Sequence, residues 1–465
     1  MKRFTYIITI LVFVIATSCD DTLDQRLSSS VEVDEAIVDL NSLNLATNGA
    51  YSFLASANNY GRTVLLVPEI LSDNAFINAF DNTGRYLDYD AFNLNANDGN
   101  ADGTWNNFSD IIATTSIAIR EANELTFPES EQEDANQYIG ELHALRALAF
   151  HNFQLFFAQP YNFTADASHL GVPIPDFSLL GNGGTVQSPA RNTTAEVYSQ
   201  IISDLQTAIG LMRDNGPEER FDAYAARALL ARVYLHMEEW ELARDLATEV
   251  INDSGTELLN NSEYVASWDG LDATDETLAT IDFNATDNLG SNSITHFFLE
   301  YEDAFASADF VSLFEATDVR LELYPADGSV FLVQKYPSAG FNDDNIQYLR
   351  LSETYLIKAE AHARLNENTD AQMALDAIRL RADLNAVPST EIGGALIDKI
   401  LVERRKELGF EGFRLFDLTR NGLTYNKFRQ DAASELVNAP EDRTILPIPI
   451  DEMNVNPNMV QNPGY

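Results

Sequence analysis

Two stretches of the chain read alike: Tyr224 to Met237 (YAARALLARVYLHM) followed by Glu239 to Asn252 (EWELARDLATEVIN), and Leu351 to Leu365 followed by Thr369 to Asp383. In each, apolar residues recur at three- and four-residue spacing, the pattern of an amphipathic helix, and a short break separates two such helices. Alanines stand where the paired helices meet: Ala243 and Ala247 beside Trp240 in the first pair, and Ala359, Ala363, Ala371 and Ala374 in the second. Small side chains there let two antiparallel backbones approach closely. A lone helix hairpin cannot bury its own apolar face, so several must stack.

The candidate partners lie upstream. Glu141 to Phe157 carries Leu142, Leu145, Ala149 and Phe153 on one stripe, and Thr193 to Met212 carries Val197, Ile201, Leu205 and Ile209, with Thr194 as the expected N-cap. Helices are also expected over 106–125 and 139–157. Phe108, Ile112 and Ile119 share a stripe in the first, and Trp105 at its start is read as core. The expected fold is mainly α, with tetratricopeptide-like helix pairs forming a scaffold that carries long irregular loops and a few short strands.

The N-terminus has its own logic. Lys2 and Arg3 precede an apolar run from Phe4 to Ala16, then Thr17, Ser18 and Cys19. A basic start, a short apolar run and small residues before a cut site read as a secretion signal over residues 1–18. Cys19 is the single cysteine, which excludes an intrachain disulfide and a thiolate metal cluster and suggests lipid attachment after cleavage. Asp20, Asp21 and Asp24 follow it, giving an acidic tether over 19–30. Loss of residues 1–18 leaves 27 Lys and Arg against 72 Asp and Glu. That balance argues against nucleic acid or anionic lipid as partner, since phosphate binding needs clustered cations. The mature chain has no apolar run long enough to span a bilayer, so the lipid would be its only anchor.

No metalloprotease HExxH, GxSxG elbow or P-loop is present, and Gly181 to Gly184 lies outside any dinucleotide pattern. The six histidines, His143, His151, His169, His236, His296 and His362, are scattered and read as packed or solvated. Nothing calls for a catalytic residue, a cofactor or a metal. Asp98 to Gly103 (DGNADG) opens like a calcium loop, but Ser109 stands where a bidentate acid is needed, so the segment reads as a polar turn.

Ligand contact is expected on the irregular segments, Asp73 to Gly103 and Gly255 to Asp344, carried by the helical scaffold. Aromatic faces can stack on pyranose rings while Asp, Asn and Arg read hydroxyl orientation. The candidate binding residues are Asp73, Asn74, Arg85, Tyr86, Tyr89, Trp268 and Tyr301, with Phe297 and Phe298 nearby.

The C-terminal run Glu403 to Asn421 (ERRKELGFEGFRLFDLTRN) and the tail Pro447 to Tyr465 (PIPIDEMNVNPNMVQNPGY) look structural. Glu403, Arg404, Glu407, Arg414 and Asp417 alternate in sign beside Gly409 and Gly412, which predicts buried ion pairs with close backbone approach. The tail, with Pro447, Pro449, Pro457 and Pro463, is expected to lie extended across the helices. Together with CDDTLDQ at Cys19, WNNFSDIIATTSIAIREAN, ARALLARVYLHMEEWELA and YLRLSETYLIKAEAHARLN, these segments resemble the SusD/RagB family in the family's order.

The resemblance implies a lipid-anchored protein on the outer-membrane surface of a Gram-negative bacterium. It would bind an oligosaccharide or polysaccharide without cleaving it, as a lid over a SusC-like TonB-dependent transporter. A lid for peptides is the alternative, and a surface glycosidase a distant third. The organisation expected is a helical region at 31–254, a loop-rich ligand-binding segment at 255–345, and a C-terminal region at 346–465.

Overall fold

The computed structural model describes residues 37–177, 188–269 and 273–465. The signal segment, Cys19, the acidic tether and Gly181 to Gly184 lie outside the described residues.

Helices dominate. In chain order they include α1 (Leu40–Leu54), α2 (Thr63–Ile70), α3 (Gly99–Glu124), α4 (Gln132–Phe157), α5 (Thr194–Leu211), α6 (Ala223–His236) and α7 (Trp240–Asp253). After the loop-rich middle come α8 (Leu351–Arg364), α9 (Asn368–Ala382), α10 (Gly394–Glu407), α11 (Arg414–Arg420) and α12 (Ile450–Val455). Successive helices from α3 to α7 pack on one another, α7 lies against α8, and α8 packs on α9 and α10. Ala243, Ala247, Ala359 and Ala371 are fully buried at these contacts, as the small-residue pattern required.

The boundaries differ from expectation where polar caps intervene. Helix α3 starts at Gly99 because the Asp98 carboxylate accepts a hydrogen bond from the Ala101 N–H at 2.8 Å. The DGNADG segment is thus a helix start. Helix α5 is capped by Thr193, not Thr194. The Thr193 hydroxyl accepts from the Glu196 N–H at 3.2 Å, and the Glu196 carboxylate accepts from the Thr193 N–H at 2.8 Å, a reciprocal pair that leaves Thr194 inside the helix.

Trp105 is buried, edge-on to Phe153 at 4.6 Å and Phe157 at 5.1 Å, so its core reading holds. His151 and His236 meet edge-on inside the helical layers with ring centroids 5.2 Å apart, and burial takes the His151 imidazole down to about 3.

The middle segment is more ordered than its sequence suggests. Strand β1 (Ala75–Ile77) pairs antiparallel with β3 (Ala304–Ala306), which continues through β5 (Val330–Phe331) to β4 (Ala326–Asp327). Strand β2 (Thr277–Ile281) pairs with β6 (Ile346–Arg350) through an irregular register, and β7 (Thr424–Lys427) pairs with β8 (Glu435–Asn438). These short ladders fasten the loops to the helices. The tail also departs from a wholly extended form, since α12 begins after Pro449, where a missing N–H costs nothing and Asp451 and Glu452 favour the helix start.

The expected ion pairs are present, some within the motif and others with partners outside it. Arg404 Nε donates to Asp417 at 2.9 Å, and Arg420 bridges Asp417 at 2.7 Å and Glu360 at 2.6 Å. Glu407 accepts from Arg320 and Arg381, each at 2.8 Å, and from Arg350 at 3.3 Å. Burial pushes the Glu407 carboxyl up, but these three guanidinium groups outweigh it and hold it well below the usual carboxylate range. Gly412 adopts φ +85°, and a Cβ there would stand 2.4 Å from the Val64 carbonyl oxygen, so only glycine lets this turn lie against α2.

Candidate functional site

Five of the seven residues proposed from sequence lie inside the protein. The Asp73 carboxylate accepts two hydrogen bonds from Arg414, at 2.7 and 2.8 Å, with Arg405 at 3.4 Å. Asn74, wholly buried, donates to Glu69 at 2.6 Å and accepts from Arg405 at 2.7 Å. The Tyr86 hydroxyl accepts from Arg62 Nε at 3.1 Å and lies 2.9 Å from Thr63 Oγ1, and the Tyr89 hydroxyl donates to Asp98 at 2.6 Å. Trp268 is buried between Lys335, 4.4 Å from its ring centroid, and Arg350 at 5.2 Å.

These residues root the loops and are not free to face a ligand as they stand. The reason is chemical: each side chain is engaged by a hydrogen-bonding or cationic partner, and for Asp73 and Asn74 the guanidinium partner lies hundreds of residues away, where spacing could not reveal it. Phe297 and Phe298 are likewise buried.

Arg85 and Tyr301 behave differently. They come from loops more than two hundred residues apart, and the guanidinium carbon sits 5.1 Å from the Tyr301 ring centroid, a cation–π stack at the surface. Arg85 also donates to the Ser291 carbonyl at 3.4 Å, and the His296 ring meets Tyr301 edge-on at 4.3 Å.

Three loops are lashed together here. Asp303 accepts at its carbonyl from the Asn78 N–H at 2.8 Å, and its carboxylate takes the Thr83 N–H at 2.8 Å together with the Thr83 hydroxyl. Glu300 accepts from the Gly340 N–H at 2.8 Å and the Asn342 amide at 3.1 Å. The segments 78–86, 284–303 and 338–345 therefore form one cluster, anchored by β1, β3 and the Tyr86 ring against Phe297 at 5.5 Å.

Sequence reasoning missed two members of this cluster, Phe80 at 77% exposure and Phe341 at 70%. The signal was available: each is a lone large aromatic among turn formers (NAFDN and AGFND), where no helix or strand period can bury it.

Burial pushes five carboxyls among the described residues above their ordinary values: Glu69, Glu141, Asp222 and Asp344, each engaged by hydrogen bonds within the fold, and Asp110 on the exposed face of α3. Glu69 rises to about 7, opposed by hydrogen bonds from Asn74 and the Gly412 N–H. Asp222 rises to about 6 while capping α6 through the Ala225 N–H at 2.7 Å. Among the described residues no group of three or more His, Cys, Asp or Glu is arranged to hold a metal. A separate apolar cavity of about 440 Å³ is walled by Trp105, Phe153, Pro175, Phe177 and Val455, with Asp110, Asp176 and Glu452 among its polar lining.

Known proteins share this architecture and the motifs that build it. Residues 320–465 match the profile described as SusD family, and residues 21–235 match one described as starch-binding associating with outer membrane. A crystal structure of a candidate sugar-binding protein from Bacteroides vulgatus superposes with a TM-score of 0.84 at 30% identity, covering 92% of this chain and 99% of that one. The chain belongs to the SusD/RagB family. A SusD superfamily structure from Bacteroides thetaiotaomicron gives a TM-score of 0.83 at 27% identity, over 92% of this chain and all of that one. SusD-like protein P38 of Formosa agariphila is 23% identical over the full length of both chains. The starch-binding protein SusD of Bacteroides thetaiotaomicron is 34% identical over 151 residues, 32% of this chain and 25% of its own. The two matched stretches do not include 236–319, which holds Tyr301. No described helix is long and apolar enough to cross a membrane.

Proposed function

We propose that this SusD/RagB protein is a lipid-anchored outer-membrane lipoprotein, attached through Cys19 and exposed at the cell surface. It captures an oligosaccharide or polysaccharide without cleaving it and passes it to a SusC-like TonB-dependent transporter. The observation that carries the reading is the partly exposed Arg85–Tyr301 stack, on loops that also present Phe80 and Phe341. Flat aromatic faces with a guanidinium and backbone groups beside them can stack on a pyranose ring and bond its hydroxyls. Asp73, Asn74, Tyr86, Tyr89 and Trp268 then act beneath the ligand, by fixing the loops. A few stacking contacts give weak to moderate affinity, which suffices when the transporter is adjacent and the effective concentration high.

The non-catalytic reading is supported by the placement of four of the five carboxyls that burial pushes up: Glu69, Glu141 and Asp344 are buried and hydrogen-bonded, and Asp222 is engaged as a helix cap, which leaves Asp110, in the lining of the apolar cavity, as the fifth. One observation favours the alternative of peptide capture, namely the apolar cavity beside Trp105, which could seat an anchoring side chain.

The test is a binding screen of the purified protein against polysaccharides and a peptide mixture, with reducing ends assayed in parallel. Saturable glycan binding that weakens on Tyr301→Ala, with no new reducing ends, supports capture. Peptide binding alone, or sugar release, overturns it.

A further inference from the structure

The loops that carry Arg85 and Tyr301 differ sharply in their charges from what an acidic ligand needs. Within 78–92 and 282–303 the exposed charged side chains are Asp81, Asp88, Asp282, Asp287, Glu300 and Glu302 on the negative side, and the single cation that reaches the surface is the half-buried Arg85. The third loop, 337–345, adds Asp343 and Asp344, both buried. The neighbouring turn at 428–431, tied to Ala79 by the Gln430 side chain at 2.9 Å, brings Arg429, which is paired with Asp431 at 3.0 Å. Arg62 lies below the surface, with Nε on the Tyr86 hydroxyl and Nη1 on the Asn292 carbonyl.

Arg85 is itself partly engaged, over Tyr301 and against the Ser291 carbonyl. Glu300 is negative in spite of some burial, because the Gly340 N–H, the Asn342 amide and His296 hold its carboxyl below the usual range. A sulfate or uronate in this cluster would gain one guanidinium and meet several carboxylates, and like-charge juxtaposition is an effective means of rejecting a partner. Stacking of an uncharged ring on Tyr301 meets no such opposition.

We infer that the Arg85–Tyr301 loop cluster selects uncharged glycans and rejects sulfated and uronate-bearing ones by carboxylate repulsion. The inference rests on the capture reading above and adds to it the class of sugar. Arg85 serves in it as a hydrogen-bond donor and ring support, not as an anion receptor. The carboxylates act at a distance, so the rejection depends on ionic strength: the screening length is about 10 Å at 0.1 M salt and about 3 Å at 1 M.

The experiment compares binding of the purified protein to uncharged polysaccharides (starch, dextran, mannan, xylan, laminarin) and to anionic ones (dextran sulfate, carrageenan, alginate) at 0.1 and 1 M NaCl. The triple variant Asp81→Asn/Asp88→Asn/Glu302→Gln, all three exposed residues, is run beside it. The expected result is saturable binding to at least one uncharged glycan with little salt dependence, and anionic glycans at least tenfold weaker at 0.1 M. The triple variant should narrow that gap severalfold without changing affinity for the uncharged glycan. Tighter binding of an anionic glycan, weakened by salt, overturns the inference while leaving glycan capture intact. Binding of no glycan in either group removes both.

Discussion

Replacing Asp417 by Ala tests whether the buried charges of the C-terminal motif hold the fold. Asp417 is 4% exposed and accepts from Arg404 Nε at 2.9 Å and from Arg420 at 2.7 Å. Burial alone pushes its carboxyl up, yet Arg404 and Arg420 keep it below the usual range, so the negative charge is present and matched. In Asp417→Ala, Arg420 retains Glu360, but Arg404, 1% exposed, loses the carboxylate to which its Nε donates. Removing one partner of a buried pair costs about 3–5 kcal/mol, because the remaining charge is left without compensation. With an unfolding entropy of about 2.1 cal/mol/K per residue, a chain of this size has a total of about 0.9 kcal/mol/K, so Tm should fall by about 3–6 °C. Differential scanning calorimetry measures this. Replacing both partners, Arg404→Leu with Asp417→Leu, should recover part of the loss, since an apolar pair in place of a buried ion pair is often neutral. A shift under about 1 °C for Asp417→Ala, or a double variant worse than the single, would refute the reasoning.

Other expectations follow from the same geometry. Trp268→Ala empties a buried aromatic site between Lys335 and Arg350 and should cost about 3–5 kcal/mol in denaturant unfolding. Gly412→Ala places a Cβ 2.4 Å from the Val64 carbonyl at φ +85°, and the left-handed backbone alone costs about 1–2 kcal/mol, so soluble yield and Tm should both drop. Glu69 has a pKa raised to about 7 in the fold, so folding binds a proton that the unfolded chain releases near 4.5. Stability from this group is therefore present below pH 4.5 and lost as pH rises towards 7. Between pH 5 and 8 the stability of Glu69→Gln relative to wild type should improve by about 2–3 kcal/mol, read from urea midpoints at the two pH values.

The helical scaffold was legible because its signal is periodic and local. The stripes through Leu142, Val197 and Ala243 and the alanine contacts between paired helices were recovered with end shifts of a few residues, and larger ones at the starts of α3, which Asp98 caps early, and of α4, which begins at Gln132. The ion pairs were half legible. Sign alternation in ERRKELGFEGFR pointed to buried pairing, but Arg320, Arg350 and Arg381 arrive from distant segments by tertiary folding, which spacing does not encode. For the candidate site, composition pointed to the loops and mistook the depth of most of their side chains. Tyr86 and Tyr89 carry the same ring as Tyr301, and the hydrogen bonds to Arg62, Thr63 and Asp98 decide that they point inward. Phe80 and Phe341 were readable as aromatics stranded among turn residues.

The central claim, that a sugar is held on the Arg85–Tyr301 face, is tested most directly by titration calorimetry of wild type and Tyr301→Ala with the glycan found in the screen. Losing a stacking platform worth about 1–2 kcal/mol should weaken Kd about five- to thirtyfold. Because Tyr301 is partly exposed, Tm should stay within about 1 °C of wild type. An unchanged Kd with an unchanged Tm would contradict the account and place the ligand elsewhere on the protein.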